Sequence, residues 1–154
     1  MSETIEKRLS EIGVTLPVAA APAANYVPYS RSGNLLFTAG QLPLSEGKLQ
    51  VSGLLGRDVD TASGKEAAKY CAINILAQAK AALGDLGKIR RVVKITVFVA
   101  SAPEFVEQHL VANGASDFLV AVLGDHGKHA RSAVGAASLP LNAAVEIEAI
   151  FEVE

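Results

Sequence analysis

Residues 128–154 read "KHARSAVGAASLPLNAAVEIEAIFEVE", and how this stretch folds decides the rest of the chain. Two strands are expected in it, "ARSAVGAAS" (130–138) and "AAVEIEAIFEV" (143–153), joined at Leu139-Pro140. In the second, Val145, Ile147, Ala149, Phe151 and Val153 alternate with Glu146, Glu148, Ile150 and Glu152. Successive strand side chains point to opposite faces, so one face is wholly apolar and the other carries the glutamates. The first strand opens on Arg131. A guanidinium stays charged at any biological pH and is costly to bury without a partner. Either Arg131 escapes to solvent or something anionic meets it. The two strands are expected to be neighbours, so a plain cross-sheet ion pair with a glutamate such as Glu146 is one reading of these residues.

Working outward, "RRVVKITVFVAS" (90–101) is expected to be a strand, with Val93, Ile95, Val97 and Val99 on one apolar face and Val92, Lys94 and Thr96 on the other. "DTASGKEAAKYCAINILAQAKAALGDLG" (60–87) is the clearest helix. Ser63 and Glu66 make a capping-box pattern, Ala68, Ala72, Ile75, Ala79 and Leu83 line one face, and Gly84 or Gly87 stops it. "PEFVEQHLVANGASDFLVAVLG" (103–124) is a second helical region, interrupted at Asn113-Gly114. Ahead of these, Ser32-Gly33-Asn34 is turn chemistry and "NLLFTAG" (34–40) a buried strand. "SEGKLQVSGLLG" (45–56) adds a hairpin turn and a second short strand. "SETIEKRLSEIG" (2–13) is a short amphipathic helix carrying Ile5, Leu9 and Ile12, with Gly13 at its end and a Pro/Ala-rich connector up to Asn25.

The expected order is β-β-α-β-α-β-β in one α+β domain spanning 1–154, with residues 1–24 as an N-terminal helical extension and linker. Both long helices are expected on one sheet face, which leaves the other face in need of cover. A chain of 154 residues fits one domain. Folding at this size buries roughly 68–70% of the unfolded chain's surface, so a core needs no staples.

Composition excludes several functions. The net charge is -2 and the isoelectric point about 5.9, without the basic excess of a nucleic-acid binder. "KIRRVVK" (88–94) reads as a solvated strand entry. The charged N-terminus is not a signal peptide, and "VTLPVAAAPAANYV" (14–27), broken by Pro17 and Pro22, is too short to span a bilayer. A cytoplasmic setting without membrane contact is expected. The single cysteine, Cys71, excludes an intramolecular disulfide; it reads as a small buried residue, with a reactive thiol as the alternative. Half the residues are hydrophobic and only 19% are charged, which points to a homo-oligomer hiding apolar surface. "GDLGKI" and "GDHGKH" lack the spacing of phosphate loops, and no dinucleotide fingerprint follows a strand. The three histidines, His109, His126 and His129, lack the partners and spacing of a metal site, so no metal is expected. Ser132 lies close to His129 in sequence without a nucleophile elbow around it.

Three segments together carry a resemblance. "YSRSGNLLFTAGQLPL" (29–44), "VVKITVFVAS" (92–101) and "ARSAVGAASLPLNAAVEIEAI" (130–150) resemble, in this order, the characteristic segments of the RidA family. These reactive-intermediate deaminases are also called YjgF-like, and labelled in places endoribonuclease L-PSP or translation inhibitor. The resemblance covers about residues 25–154. It implies a chorismate-mutase-like fold and a homotrimer with a central barrel and three clefts between subunits. It also implies hydrolysis of enamines and imines to 2-keto acids and ammonia, with a small 2-imino or 2-keto acid as ligand and no cofactor. Arg131 matches the family's carboxylate-binding arginine, and a guanidinium fork suits a planar carboxylate. Glu146 matches the cleft glutamate that handles water or a proton. Tyr29, Gly40, Asn113 and Ala133 match substrate-binding positions. Departures stand at Ala39, in "TAGQ", at Ala133, and in "KHAR", which replaces a Pro-Ala-Arg approach. A trimeric binder of small carboxylic acids without turnover is the alternative. An endoribonuclease or translation inhibitor is a third reading, for which the net charge and the scarcity of aromatic residues offer little.

Overall fold

The computed structural model describes residues 2–22 and 24–154; the expected connector includes Ala23, which lies outside them. A five-stranded sheet forms the centre, in the order β1 (Tyr29–Ser32), β2 (Leu35–Thr38), β7 (Val145–Val153), β5 (Ile89–Ala100) and β6 (Ala130–Ala136). Helices α2 (Thr61–Leu83) and α3 (Gln108–Leu123) pack against each other over this sheet. The expected α+β architecture is present, with one addition. Residues 45–56 do not add a second strand to the main sheet. Their part is a separate hairpin of β3 (Leu44–Ser45) and β4 (Lys48–Leu49), and the second early sheet strand is instead Tyr29–Ser32, across the turn at Gly33.

The last strand behaves as its alternation demands. Val145, Ile147, Ala149, Phe151 and Val153 are buried in the core, while the glutamates and Ile150 face the other way. In β5 the phase shifts. Register irregularities fall between Ile89 and Arg91 and between Val92 and Lys94, so Ile89 and Val92 join Ile95, Val97 and Val99 in the core and Val93 does not. An extra residue at a bulge advances the alternation by one, which a period-two reading cannot anticipate. Strands β6 and β7 are not neighbours: β5 lies between them, parallel to β6 and antiparallel to β7.

Helix α2 carries the expected stripe, and Gly84 ends it in a left-handed conformation with its N–H on the Lys80 carbonyl. Its N-cap is Asp60, whose carboxylate accepts from the Ser63 N–H at 2.8 Å, and not the Ser63–Glu66 pair. Helix α3 starts later than expected, at Gln108, and runs unbroken through Asn113-Gly114. Gly114 is a contact point: a Cβ there would lie 2.0 Å from the Lys65 carbonyl oxygen of α2. The glycine lets two helix backbones touch.

Helix α1 (Ser2–Glu11) docks through Ile5 and Leu9, both buried. Arg8 donates to the Val122 carbonyl and Lys80 pairs with Glu6 at 3.1 Å. Ile12, expected on the buried stripe, lies past the helix end and is 41% exposed. Cys71 is fully buried and donates to the Val145 carbonyl; burial, and then the Glu146 charge, push its thiol well above its ordinary pKa. It is a packing residue, without thiolate character.

The helices cover one sheet face only. On the other, Leu35 and Phe37 are 37% and 38% exposed, beside half-buried Phe98 and Ile150. Among the described residues no helix is long and apolar enough to cross a membrane.

Candidate functional site

Arg131 lies one residue into β6, paired with Ile95 of β5. Paired residues share a face, and Ile95 is buried in the core, so Arg131 points towards the helix layer. There it meets one face of α3. Nη1 donates to Asn113 Oδ1 at 2.9 Å and to Ser116 Oγ at 3.1 Å, and Nη2 donates to the His109 carbonyl at 3.1 Å. Residues 109, 113 and 116 are spaced i, i+4 and i+7, which stacks them on one side of a helix. All three acceptors are neutral. Among the described residues no carboxylate pairs with Arg131, so the cross-sheet ion pair considered for Arg131 does not form. A guanidinium has five N–H donors; these contacts use three and leave Nε–H and one Nη2–H for something else. The arginine is held and oriented while its charge stays uncompensated.

Ala133, two residues on, shares the Arg131 face and is partly buried against the core. Since β6 is a sheet edge, alternate backbone N–H groups there have no strand to bond.

Glu146 is elsewhere. It pairs with Phe98, out of phase with the core residues Val97 and Val99, and so projects from the uncovered face. It is half-buried over Gly40, where a Cβ would come within 1.9 Å of Glu146 Oε2. Burial first, and the neighbouring Glu148 charge second, raise its pKa. A carboxyl that resists ionisation is a better proton donor near neutral pH than an ordinary glutamate. Two buried glutamines brace its seat. Gln41 donates to the Ala39 carbonyl at 3.2 Å, and Gln78 of α2 donates both to Gln41 Oε1 at 3.3 Å and to the Ala20 carbonyl at 2.8 Å. The N-terminal extension is thus tied to the floor beneath Glu146. Tyr29 stands at the head of β1, paired with buried Thr38 and packed partly against the core, so its side chain leaves the face opposite to Glu146; just before it the Pro28 carbonyl accepts the Ala39 N–H at 2.9 Å.

The expected site residues therefore fall into two groups. Arg131, Asn113 and Ala133 sit at the β6 edge on the helix side; Glu146, Gly40 and Tyr29 sit towards the opposite edge. Two inter-strand steps and a three-residue offset separate the Arg131 and Glu146 backbones by about 14 Å, and their side chains leave opposite faces. One chain does not bring them together.

The Arg131 group has two further members that were not among the expected site residues, Ser116 and His129. His129 Nε2 lies 2.8 Å from Ser116 Oγ and its Nδ1 lies 2.6 Å from the Gly127 carbonyl. The signal for His129 was the "KHAR" departure; Ser116 shows itself only through the i, i+7 spacing to His109. Among the described residues no group of three His, Cys, Asp or Glu side chains is arranged to hold a metal ion.

Comparisons with known proteins place this geometry. Residues 6–153 match the family described as "YjgF/chorismate_mutase-like, putative endoribonuclease". Protein TCP17 of Trypanosoma cruzi is 48% identical over 152 residues, covering 98% of this chain and 95% of that one. A crystal structure of an Agrobacterium tumefaciens protein of unknown function is 64% identical with a TM-score of 0.94, covering 99% of this chain and 94% of that one. RidA from the Antarctic bacterium Psychrobacter is 29% identical with a TM-score of 0.63, covering 88% and 94%. The strand order, the two helices on one face and these matches together make the chain a member of the YjgF/RidA family with a chorismate-mutase-like fold.

Proposed function

We propose that this chain hydrolyses small reactive 2-imino acids, and the enamines in equilibrium with them, to 2-keto acids and ammonia in clefts between subunits of a homotrimer. The observation that carries the reading is Arg131: oriented by three neutral acceptors, uncompensated, and left with donors to spare. A carboxylate accepting two parallel N–H bonds is the natural partner of such a fork.

Assembly completes the site. The uncovered sheet face, with Leu35, Phe37, Phe98 and Ile150, supplies an apolar surface for neighbouring copies. Stacking the β6 edge of one copy over the Glu146 face of the next makes a cleft with Arg131 on one wall and Glu146 and the Gly40 backbone on the other, with Tyr29 at the rim where β1 begins. Arg131 binds the substrate carboxylate, helped by the backbone N–H groups of Gly40 and Ala133. Water adds to the imine carbon, and the C=N electron pair moves to nitrogen. Glu146, as its carboxylate, takes one proton from the attacking water and passes it to the nitrogen, giving the neutral carbinolamine; its raised pKa favours the proton-donating half of that cycle. In the collapse it takes the carbinolamine hydroxyl proton and delivers it to the nitrogen in the same way, so the carbonyl re-forms as the C–N bond breaks and ammonia leaves carrying both protons of the water.

The test uses 2-iminobutyrate generated from threonine by a dehydratase. Arg131→Ala should lower kcat/KM by roughly 30- to several-thousand-fold, the range for truncating one side of a desolvated charge contact worth about 2–5 kcal/mol. Arg131→Lys should recover only part, because an ammonium lacks the planar fork. Glu146→Gln should keep 2-ketobutyrate binding and lose turnover. Wild-type protein that binds 2-keto acids yet never exceeds the buffer rate is a carboxylic-acid binder, and the hydrolase reading falls.

A further inference from the structure

We infer that His129, acting through Ser116, sets the orientation of the Arg131 fork, and is a positioning residue for capture of a ligand carboxylate. The inference rests on the carboxylate-binding reading of Arg131 given above. Four groups form a chain: the Gly127 carbonyl, the His129 ring, Ser116 Oγ and Arg131 Nη1, with successive separations of 2.6, 2.8 and 3.1 Å.

The hydrogens along this chain follow from what each group is able to do. A carbonyl oxygen only accepts, so the His129 hydrogen facing Gly127 sits on Nδ1. In a neutral imidazole Nε2 is then an acceptor, and the Ser116 hydroxyl donates to it. That choice matters. A serine inside a helix ordinarily turns its hydroxyl back to a carbonyl one turn earlier. Here the histidine draws the hydrogen away, and the oxygen lone pairs are left to Arg131. Nη1 spends its second hydrogen on Asn113. With both Nη1 hydrogens fixed from α3 and one Nη2 hydrogen on His109, the guanidinium plane is determined and its unused edge is the ligand's.

The position of His129 is no accident of packing. It lies two residues before Arg131, between Lys128, whose backbone is extended, and the start of β6, and its ring reaches the same Ser116 hydroxyl as the Arg131 fork. Removing the ring leaves Ser116 free to rotate, and the Nη1 contact becomes one of several options. Holding the fork before the ligand arrives lowers the ordering cost of binding.

The experiment measures 2-ketobutyrate affinity by calorimetry in wild type, His129→Phe, His129→Gln and Ser116→Ala, each also in an Arg131→Lys background. His129→Phe and Ser116→Ala should each weaken binding about tenfold, the effect of one charge-assisted contact losing its geometry. His129→Gln, which keeps an acceptor towards Ser116, should recover part of it. In the Arg131→Lys background His129→Phe should change affinity by less than about twofold, since the effect travels through the fork. An equal loss in both backgrounds marks a merely structural residue and overturns the inference, as does unchanged affinity in the single variants. Nitrogen NMR of the His129 ring gives a ligand-independent arm. It should show hydrogen on Nδ1 and a bare Nε2; the opposite tautomer overturns the inference even if 2-ketobutyrate binds. Wild type that fails to bind 2-ketobutyrate, with the expected tautomer present, sinks the carboxylate reading of Arg131 and this inference with it, whereas binding by wild type with no effect of His129 sinks this inference alone.

Discussion

Gly114→Ala is the substitution whose sign separates local preference from packing. In an isolated helix alanine is better than glycine by about 0.8–1.0 kcal/mol, so α3 by itself favours the change. The structure opposes it. The new Cβ would stand 2.0 Å from the Lys65 carbonyl oxygen, 2.7 Å from its carbon and 2.8 Å from its Cα, all backbone of α2. Carbon–oxygen contact needs about 3.3 Å, so the helices must part by roughly 1 Å at their crossing, and a gap of that size forfeits a quarter to a half of the dispersion contact there. Overpacking of this kind costs about 1–3 kcal/mol. Because no backbone atom is able to swing aside, the upper part of that range applies, for a net loss of roughly 2 kcal/mol after the helix preference is subtracted. At this chain length that lowers Tm by about 4–8 °C. Urea unfolding at fixed protein concentration gives the free energy directly. Gly64→Ala is the comparison: its nearest contacts would be side-chain methyls of Leu55 and Val111, at 2.8 and 2.9 Å, and not backbone, so its cost should be smaller than that of Gly114→Ala. A Gly114→Ala protein as stable as wild type would refute the close-crossing argument.

Two other outcomes follow from the Glu146 seat. Gly40→Ala should displace the Glu146 carboxylate, since the clash is with a side chain and not with backbone; turnover should fall at least tenfold while Tm changes little, and a catalytically normal Gly40→Ala protein would argue against Glu146 as the proton carrier. Glu146 also leaves a signature in pH. Its folded-state pKa is raised, so the folded chain holds that proton more tightly than the unfolded one. The stability this provides is full below the ordinary glutamate value and is lost as pH rises through the folded pKa. Glu146→Gln should therefore gain stability relative to wild type as pH rises above the ordinary glutamate value; a difference independent of pH would mean that the carboxyl is not held in its raised state.

The period-two pattern of residues 145–153 located the central strand and its buried face without help, because alternation is a local property of an extended chain. The α2 stripe was legible for the same reason. What failed depends on contacts across the chain. The bulge in β5 moved Val92 into the core, and no local pattern marks where an extra residue is inserted. Asn113-Gly114 looks like a helix break, yet the glycine serves the crossing with α2 and the asparagine serves Arg131. Arg131 itself was legible, since a charge at the head of an apolar strand demands a partner. Its acceptors on α3 were not, because the pairing of β6 with β5 brings them together. The same strand order separates Arg131 from Glu146, which two consecutive C-terminal strands had made look adjacent.

The proposed cleft depends most directly on where its second half comes from, and mixing two inactive variants measures it. Arg131→Ala and Glu146→Gln proteins are combined in equal amounts, unfolded and refolded together, and assayed for 2-iminobutyrate hydrolysis. If each cleft takes Arg131 from one subunit and Glu146 from the next, random assembly leaves about one cleft in four with both side chains intact. The mixture should then recover roughly a quarter of wild-type activity from two parents that have almost none. A mixture no more active than its parents, while the same refolding restores wild type fully, would mean that the two residues serve a site within one chain or no shared site at all, and the proposed cleft would be wrong.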